Sequence, residues 1–255
     1  MLLHTRVTRL AGLRRASFSP FSSRPKSTSP SPPGASSTGG SAVLGSLARD
    51  REALAALEEW YAARPDQVAS VGALVAEMLH GRGGESDDPG CTNSSGGAGA
   101  GRRVLTSGIG KSGYVARRMA ASLASIGVPA HFVHGTEWVH GDLGAACPGD
   151  LVLSFSHSGN TEELAVLPGL LQRRGVTMAC VVGSADSALG RASDHVLLAP
   201  AGKEILGKIP SRSIVAQEAV VNAIVAEAVR ARSFLLSDFV VNHPGGSIGK
   251  TGADT

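Results

Sequence analysis

Apolar positions recur at three- and four-residue spacing in two stretches of the N-terminal third: Leu47, Leu54, Leu57 and Tyr61, then Val68, Val71, Leu74, Val75 and Met78. That period lines one face of a 3.6-residue helix, and it predicts amphipathic helices over 47–64 and 67–80, separated at Pro65. Beyond residue 102 the pattern changes. Short runs rich in Val, Leu and Ala at 103–107, 130–134, 151–155, 177–182 and 195–198 alternate with helical periods at 111–126, 161–174, 187–192 and 212–232. Such runs suit strands buried on both faces, and strand followed by helix, repeated, implies right-handed crossovers. The expected fold is therefore α/β, a five-stranded doubly wound parallel sheet with an N-terminal helical extension. The helix at 212–232 is apolar nearly all round (Ile214, Val215, Ala219, Val220, Ala223, Ile224, Ala226), and association of subunits through it would supply the cover.

Two stretches fall outside this pattern. Residues 1–49 hold eleven serines and five prolines, and their seven basic residues, Arg6, Arg9, Arg14, Arg15, Arg24, Lys26 and Arg49, stand against no acidic one. An Arg-rich, Ser-rich, acid-free N-terminus fits an organelle transit peptide, for a mitochondrion or a plastid, removed on import. A plain disordered tail of a cytoplasmic protein has the same composition. Residues 81–101 hold eight glycines in 21 positions and read as a flexible insertion. The expected organisation is a leader at 1–49, N-terminal helices at 50–80, the insertion at 81–101, an α/β domain at 102–250 and a short tail at 251–255.

Composition narrows the function. The chain of 255 residues is 42% hydrophobic but only 4% aromatic, which fits an Ala/Val/Leu core under a helix-covered sheet. The formal charge of +3 comes from the leader; the remainder carries 17 basic against 21 acidic side chains, so no nucleic-acid footprint is expected. No run of about 18 apolar residues predicts a membrane span. Cys91, Cys147 and Cys180 form neither a CxxC pair nor an even framework, which suits a reducing compartment.

Candidate chemistry sits at two strand ends. The first strand runs into Gly108-Ile109-Gly110-Lys111-Ser112-Gly113 and then a helix, where glycines admit an anion to the unpaired N–H groups of the helix start. The same glycines match GxGxxG, but the nicotinamide reading needs an acidic residue at the end of the second strand. That strand ends in His134, with Glu137 already in the loop. A Walker A loop fails because its first glycine would fall on Leu105, and a tight turn with no ligand also accounts for the segment. The third strand ends in Ser156-His157-Ser158-Gly159-Asn160-Thr161-Glu162-Glu163, whose hydroxyls suit a phosphate monoester. A capping box from Asn160 and Glu163 explains those two residues but leaves Ser156 and Ser158 without a purpose. In a sheet of order 2-1-3-4-5 these two loops meet at the switch point, where ligands bind. His131, His134, His140 and Asp142 cluster in sequence, yet their spacing matches no standard zinc pattern, so no metal is expected.

Together with His140-Gly141-Asp142-Leu143-Gly144 and His243-Pro244-Gly245-Gly246-Ser247-Ile248-Gly249, these loops resemble the sugar isomerase (SIS) domain, most closely its arabinose 5-phosphate isomerases. The resemblance spans about residues 47–250 and implies a five-stranded αβα sandwich. It also implies interconversion of D-arabinose 5-phosphate and D-ribulose 5-phosphate through an enediol, without cofactor or metal. It places Ser156, Ser158 and Thr161 in a phosphate-binding loop, and Gly110, Ser112 and His140 against the sugar. Lys111, Glu163, Glu204 and His243 match the polar catalytic positions, the histidine entering the site from a neighbouring subunit of a dimer or tetramer. Two features depart from the family pattern: a shorter loop after Lys203-Glu204, poorer in Thr and Ser, and Glu218 in place of an apolar residue. The resemblance also leads to an expectation that regulation through a C-terminal pair of CBS domains, frequent in the family, is absent.

Enediol chemistry needs a base, an acid and a cation beside the developing oxyanion, and these four residues supply all three. A non-catalytic SIS module that senses a phosphosugar would keep the phosphate loops but would not need Glu163, Glu204 and His243 together.

Overall fold

The structure is a computed structural model that describes residues 39–78 and 102–251. Five parallel strands, β1 (Val104–Gly108), β2 (Ala130–His134), β3 (Leu151–Ser156), β4 (Thr177–Val182) and β5 (His195–Leu198), form one sheet of order β2-β1-β3-β4-β5. This is the expected doubly wound order. β1, β3 and all but the first residue of β4 are buried on both faces, which is why their sequences show no polar alternation.

One face carries α2 (Pro65–Glu77), α3 (Gly110–Ser125) and α7 (Arg212–Arg232) over a core that includes Val75, Met119, Leu123, Leu153, Phe155 and Ile224. The other face is covered by α4 (Glu162–Ala165), α5 (Leu167–Gln172) and α6 (Ala188–Ala192) over Leu105, Trp138, Leu164, Leu171 and Cys180. α1 (Gly39–Ala62) lies along α7 and α2, and its Tyr61 hydroxyl donates to the Leu198 carbonyl of edge strand β5 at 2.8 Å. The wrapping of α7 by α1, α2 and α3 of the same chain explains its apolar surface, so a second copy is not needed for that cover.

Several boundaries differ from those read in the sequence. α1 begins at Gly39, inside the expected leader, because the prolines that bar a helix end at Pro33. The Gly-rich stretch 81–101 and residues 1–38 lie outside the described residues. The helix expected over 161–174 is two, α4 and α5, parted at Val166; Pro168 lacks an N–H and is tolerated only in a first helical turn, here that of α5. After α7 the chain forms two short helices that the apolar pattern did not predict, α8 (Leu236–Val241) and α9 (Gly246–Thr251). Cys147 is disulfide-bonded, so the cysteines are not the wholly unpaired set that their scattering suggested. Cys180 is free, and burial pushes its thiol up to about 11, which leaves it inert near neutral pH. Among the described residues no helix is long and apolar enough to cross a membrane.

Candidate active site

The site is assembled at the C-terminal edge of the sheet by the adjacency of β1 and β3, which pair from Val104↔Leu151 to Gly108↔Phe155. The turn out of β1 is a close approach of backbone to backbone. A Cβ on Gly108 would lie 2.9 Å from the Ser112 carbonyl oxygen, and one on Gly113 would lie 3.0 Å from that of Gly108. Gly110 has φ +59° and opens α3 with Lys111 exposed beside it. No side chain caps this helix start, its first turn holds no acidic residue, and Lys111 sits against the macrodipole. The sequence thus leaves the N–H groups of α3 open and adds a cation, an arrangement that suits a bound anion better than an isolated helix.

The second loop is fixed before any ligand arrives. Ser156 Oγ accepts from the Gly159 N–H at 3.1 Å and pairs with the Thr161 hydroxyl at 3.1 Å, while Ser158 Oγ accepts from the Asn160 N–H at 3.2 Å. Counting protons, one is spent inside the Ser156–Thr161 pair; the other of that pair and that of Ser158 remain to be donated. Gly159 has φ +61°, and any side chain there would strike Ser187. The alternative reading of a capping box from Asn160 and Glu163 does not hold. Asn160 turns its Oδ1 to the Ala188 N–H of α6 at 2.9 Å, and the residue preceding α4 is Thr161, whose hydroxyl is held by Ser156 instead. The two loop serines therefore have a purpose that capping does not supply. Glu162 and Glu163 are exposed in the first turn of α4, and neither makes an ion pair among the described residues.

After β2, two short 3-10 turns (Glu137–His140 and Asp142–Ala145) form the third wall. They are pinned by Trp138, fully buried, whose Nε1 donates to the Ser107 hydroxyl of β1 at 2.8 Å. His140 and Asp142 stay exposed above it. His131, His134, His140 and Asp142 do not converge into a metal-binding group; His134 pairs with the Thr136 hydroxyl at 2.8 Å.

Glu204 lies in the loop before α7, and its carboxylate closes that helix start. Oε2 accepts from the Ser211 N–H at 2.7 Å, the Ser211 hydroxyl at 2.6 Å and the Arg212 N–H at 2.9 Å, and Oε1 accepts from the Ser213 N–H at 3.1 Å. Burial alone would raise its pKa, but the hydrogen bonds from Ser211 and Ser213 outweigh that and hold it at about 2. Sequence spacing gave no hint of this cap. Because the folded value lies below the ordinary 4.5, the stabilisation is present above about pH 4.5 and is lost as pH falls towards 2. Glu204→Gln should therefore unfold at lower urea than the parent at pH 7, with the gap closing by pH 2; an unchanged gap at low pH would contradict this.

α3 and α7 run side by side in the same direction. Arg118 donates from Nε to Glu218 at 2.6 Å midway, and Arg232 donates to the Ile126 carbonyl at 2.6 Å at their far ends. Arg118 lies roughly 12 Å below the start of α3 and Glu218 roughly 9 Å below the start of α7, so the two helix starts stand at nearly the same level. Glu204, which closes the start of α7, thereby stands at the same end of this helix pair as the Lys111–Ser112 turn. Glu218, the departure from the family pattern, serves as the partner of Arg118.

His243 is elsewhere. Its Nδ1 meets the Phe239 carbonyl at 2.8 Å, its ring stacks on Phe239 at 3.9 Å, and neighbouring Asn242 donates to the Ser125 carbonyl at 3.1 Å. Ser125 is the last residue of α3, roughly 22 Å along the axis from Gly110. The chain thus brings Gly110, Lys111, Ser112, His140, Ser156, Ser158, Thr161, Glu163 and Glu204 to one edge of the sheet and leaves His243 at the other.

Known proteins place this edge in context. Arabinose 5-phosphate isomerases KdsD of Shigella flexneri and of Escherichia coli K12 are each 39% identical to the chain over 150 residues, 58% of this chain and 46% of theirs. The chain spans about half the length of these curated relatives. Among solved structures, Escherichia coli CFT073 c3406 in complex with arabinose 5-phosphate superposes with a TM-score of 0.60 at 29% identity, over 81% of this chain and 100% of that one. A Bacteroides fragilis protein proposed to be a phosphosugar isomerase involved in capsule formation gives 0.64 at 25% identity, over 81% and 97%. The SIS domain model matches residues 100–227, from the foot of β1 to the last third of α7. With the strand order, both loops and that match in agreement, the chain belongs to the SIS domain family.

Proposed function

We propose that the chain is an isomerase of a phosphorylated sugar, with D-arabinose 5-phosphate and D-ribulose 5-phosphate as its substrate pair. The observation that carries this reading is the pairing of β1 with β3, which sets a hydroxyl-lined loop with two protons to donate beside an uncapped helix start bearing Lys111. The likeness to KdsD across this region and to a structure holding arabinose 5-phosphate supports it.

In this reading the phosphate rests on Ser156, Ser158 and Thr161, and the sugar lies against Gly110, Ser112 and His140. Glu163, exposed and without an ion-pair partner among the described residues, moves the proton between C1 and C2, and Lys111 stabilises the enediol oxygen. A carboxyl held near pKa 2 is a poor proton donor at neutral pH, so Glu204 acts as a fixed anion. Ring opening falls to His243 supplied by a second copy, which makes the working form a homo-oligomer. Neither metal nor nicotinamide is called for.

A coupled assay offering pentose and hexose phosphates to the full chain, with and without EDTA, tests the proposal. Turnover of a phosphopentose that survives the chelator is expected. Tight phosphosugar binding with no turnover of any would favour a sensing module instead, a reading that the fully engaged Glu204 and the distant His243 would then fit.

We further propose that the leader directs import into a mitochondrion or plastid, with its removable part ending before α1 and so confined to residues 1–38, on the strength of six basic and no acidic side chains there. A fluorescent protein carrying the leader should concentrate in an organelle; diffuse cytosolic signal would overturn this.

A further inference from the structure

Arg212, the first residue of α7, is an odd residue for its place. Its side chain is fully buried, and a cation at a helix N-terminus opposes the macrodipole. An apolar side chain of similar length would fill the space at less cost. The guanidinium instead links two elements. Nε faces Asp50 of α1 at 3.4 Å without a hydrogen bond, Nη2 lies 3.4 Å from the Ser46 hydroxyl, and Nη1 donates to the Ser211 hydroxyl at 3.0 Å.

That last contact bears on Glu204. Ser211 Oγ also accepts from the Ile205 N–H at 3.2 Å, so both its lone pairs are taken and its single proton must point to an acceptor. Glu204 at 2.6 Å is nearer than the Ile209 carbonyl at 3.1 Å. Among the described residues, every hydrogen bond tying 202–210 to the rest of the body ends on Ser211, Arg212 or Ser213. The loop is otherwise thinly held, with Leu206 86% exposed at φ +52°. Where Glu204 sits thus depends on the start of α7, and among the described residues the hydrogen bond and ion pair that join that start to α1 both come from Arg212.

We propose that Arg212 is a positioning residue, held by Asp50, that fixes the Glu204 carboxylate through Ser211 at the level of the Lys111 turn. Its effect on turnover rests on the isomerase reading; its effect on the loop does not. The test compares the full chain with Asp50→Asn, Asp50→Glu, Arg212→Lys and Arg212→Met by amide hydrogen exchange over 204–213 and by steady-state kinetics. Asp50→Asn and Arg212→Met should speed exchange there by about tenfold and lower kcat by about tenfold, with KM within about twofold. Asp50→Glu should recover both, and Arg212→Lys should fall between. Unchanged exchange in variants that still unfold cooperatively would overturn the clamp. Faster exchange with unchanged kcat, or a raised KM at constant kcat, would overturn the positioning role. If the parent turns over no phosphosugar, the isomerase reading fails, and the exchange data still decide the clamp. Asp50→Asn keeps the test open if Arg212→Met does not fold, since Asp50 is itself part-exposed.

Discussion

Turnover of a phosphopentose is expected to fall by about 10² to 10⁴-fold in His243→Ala, with the phosphate affinity nearly constant. Among the described residues the His243 imidazole bonds to and stacks on Phe239, away from the strand-end loops. Asn242 beside it is bonded to the last turn of α3, whereas the loops meet the first, roughly 22 Å away. If the imidazole takes part in ring opening, it must come from a second copy, and the deficit should be repairable in mixtures. His243→Ala subunits mixed with Glu163→Ala subunits should recover activity in about a quarter of the sites of a two-fold dimer. Only sites whose Glu163 and His243 come from different, complementary chains are whole. No recovery in subunits shown to have mixed would argue against a shared site. Full activity of His243→Ala by itself would leave the residue as a stacking partner of Phe239.

The phosphate loop gives the second large effect. Ser158→Ala should raise KM for a phosphorylated substrate by about 10- to 150-fold, the equivalent of about 1.5–3 kcal/mol for one charge-assisted hydrogen bond. Its hydroxyl accepts from the Asn160 N–H and keeps its proton for the ligand, so the loop should survive its loss. Ser156→Ala should cost binding and stability together. It removes the acceptor of the Gly159 N–H and the partner of Thr161 from a buried position. Equal unfolding midpoints for the two variants would contradict the distinction, and an unchanged KM in Ser158→Ala would remove that hydroxyl from phosphate recognition.

Much of the fold was legible in the sequence because the sheet is buried on both sides. Ala130–His134, Thr177–Val182, His195–Leu198 and Arg212–Arg232 stand where the apolar pattern put them, and Pro129, Gly135, Gly183 and Asp194 mark strand ends there. The pattern blurred where a local rule overrode periodicity. Pro168 divided one predicted helix into α4 and α5, and the proline-free 39–46 let α1 start early. The end of the chain hid α8 and α9, which are short, largely exposed and carry little periodic signal.

The two substrate loops were also readable, because glycines and hydroxyls at the ends of successive strands speak through local backbone geometry. What tertiary structure decided is which groups share the site. Asn160 was a fair helix cap by sequence, yet it serves α6, a helix 28 residues on, because Gly159 at positive φ turns the loop against Ser187. Glu204 was a loop charge open to many roles until folding set it on the N–H groups of α7, and that electrostatic contact, not its neighbours in sequence, holds its pKa near 2. His243 belongs to the same motif set as the other site residues, but the length of α3 separates them. A sequence fixes a residue's chemistry and its local turn; distance, burial and hydrogen-bond partners across tens of residues arise only when helices pack on a sheet.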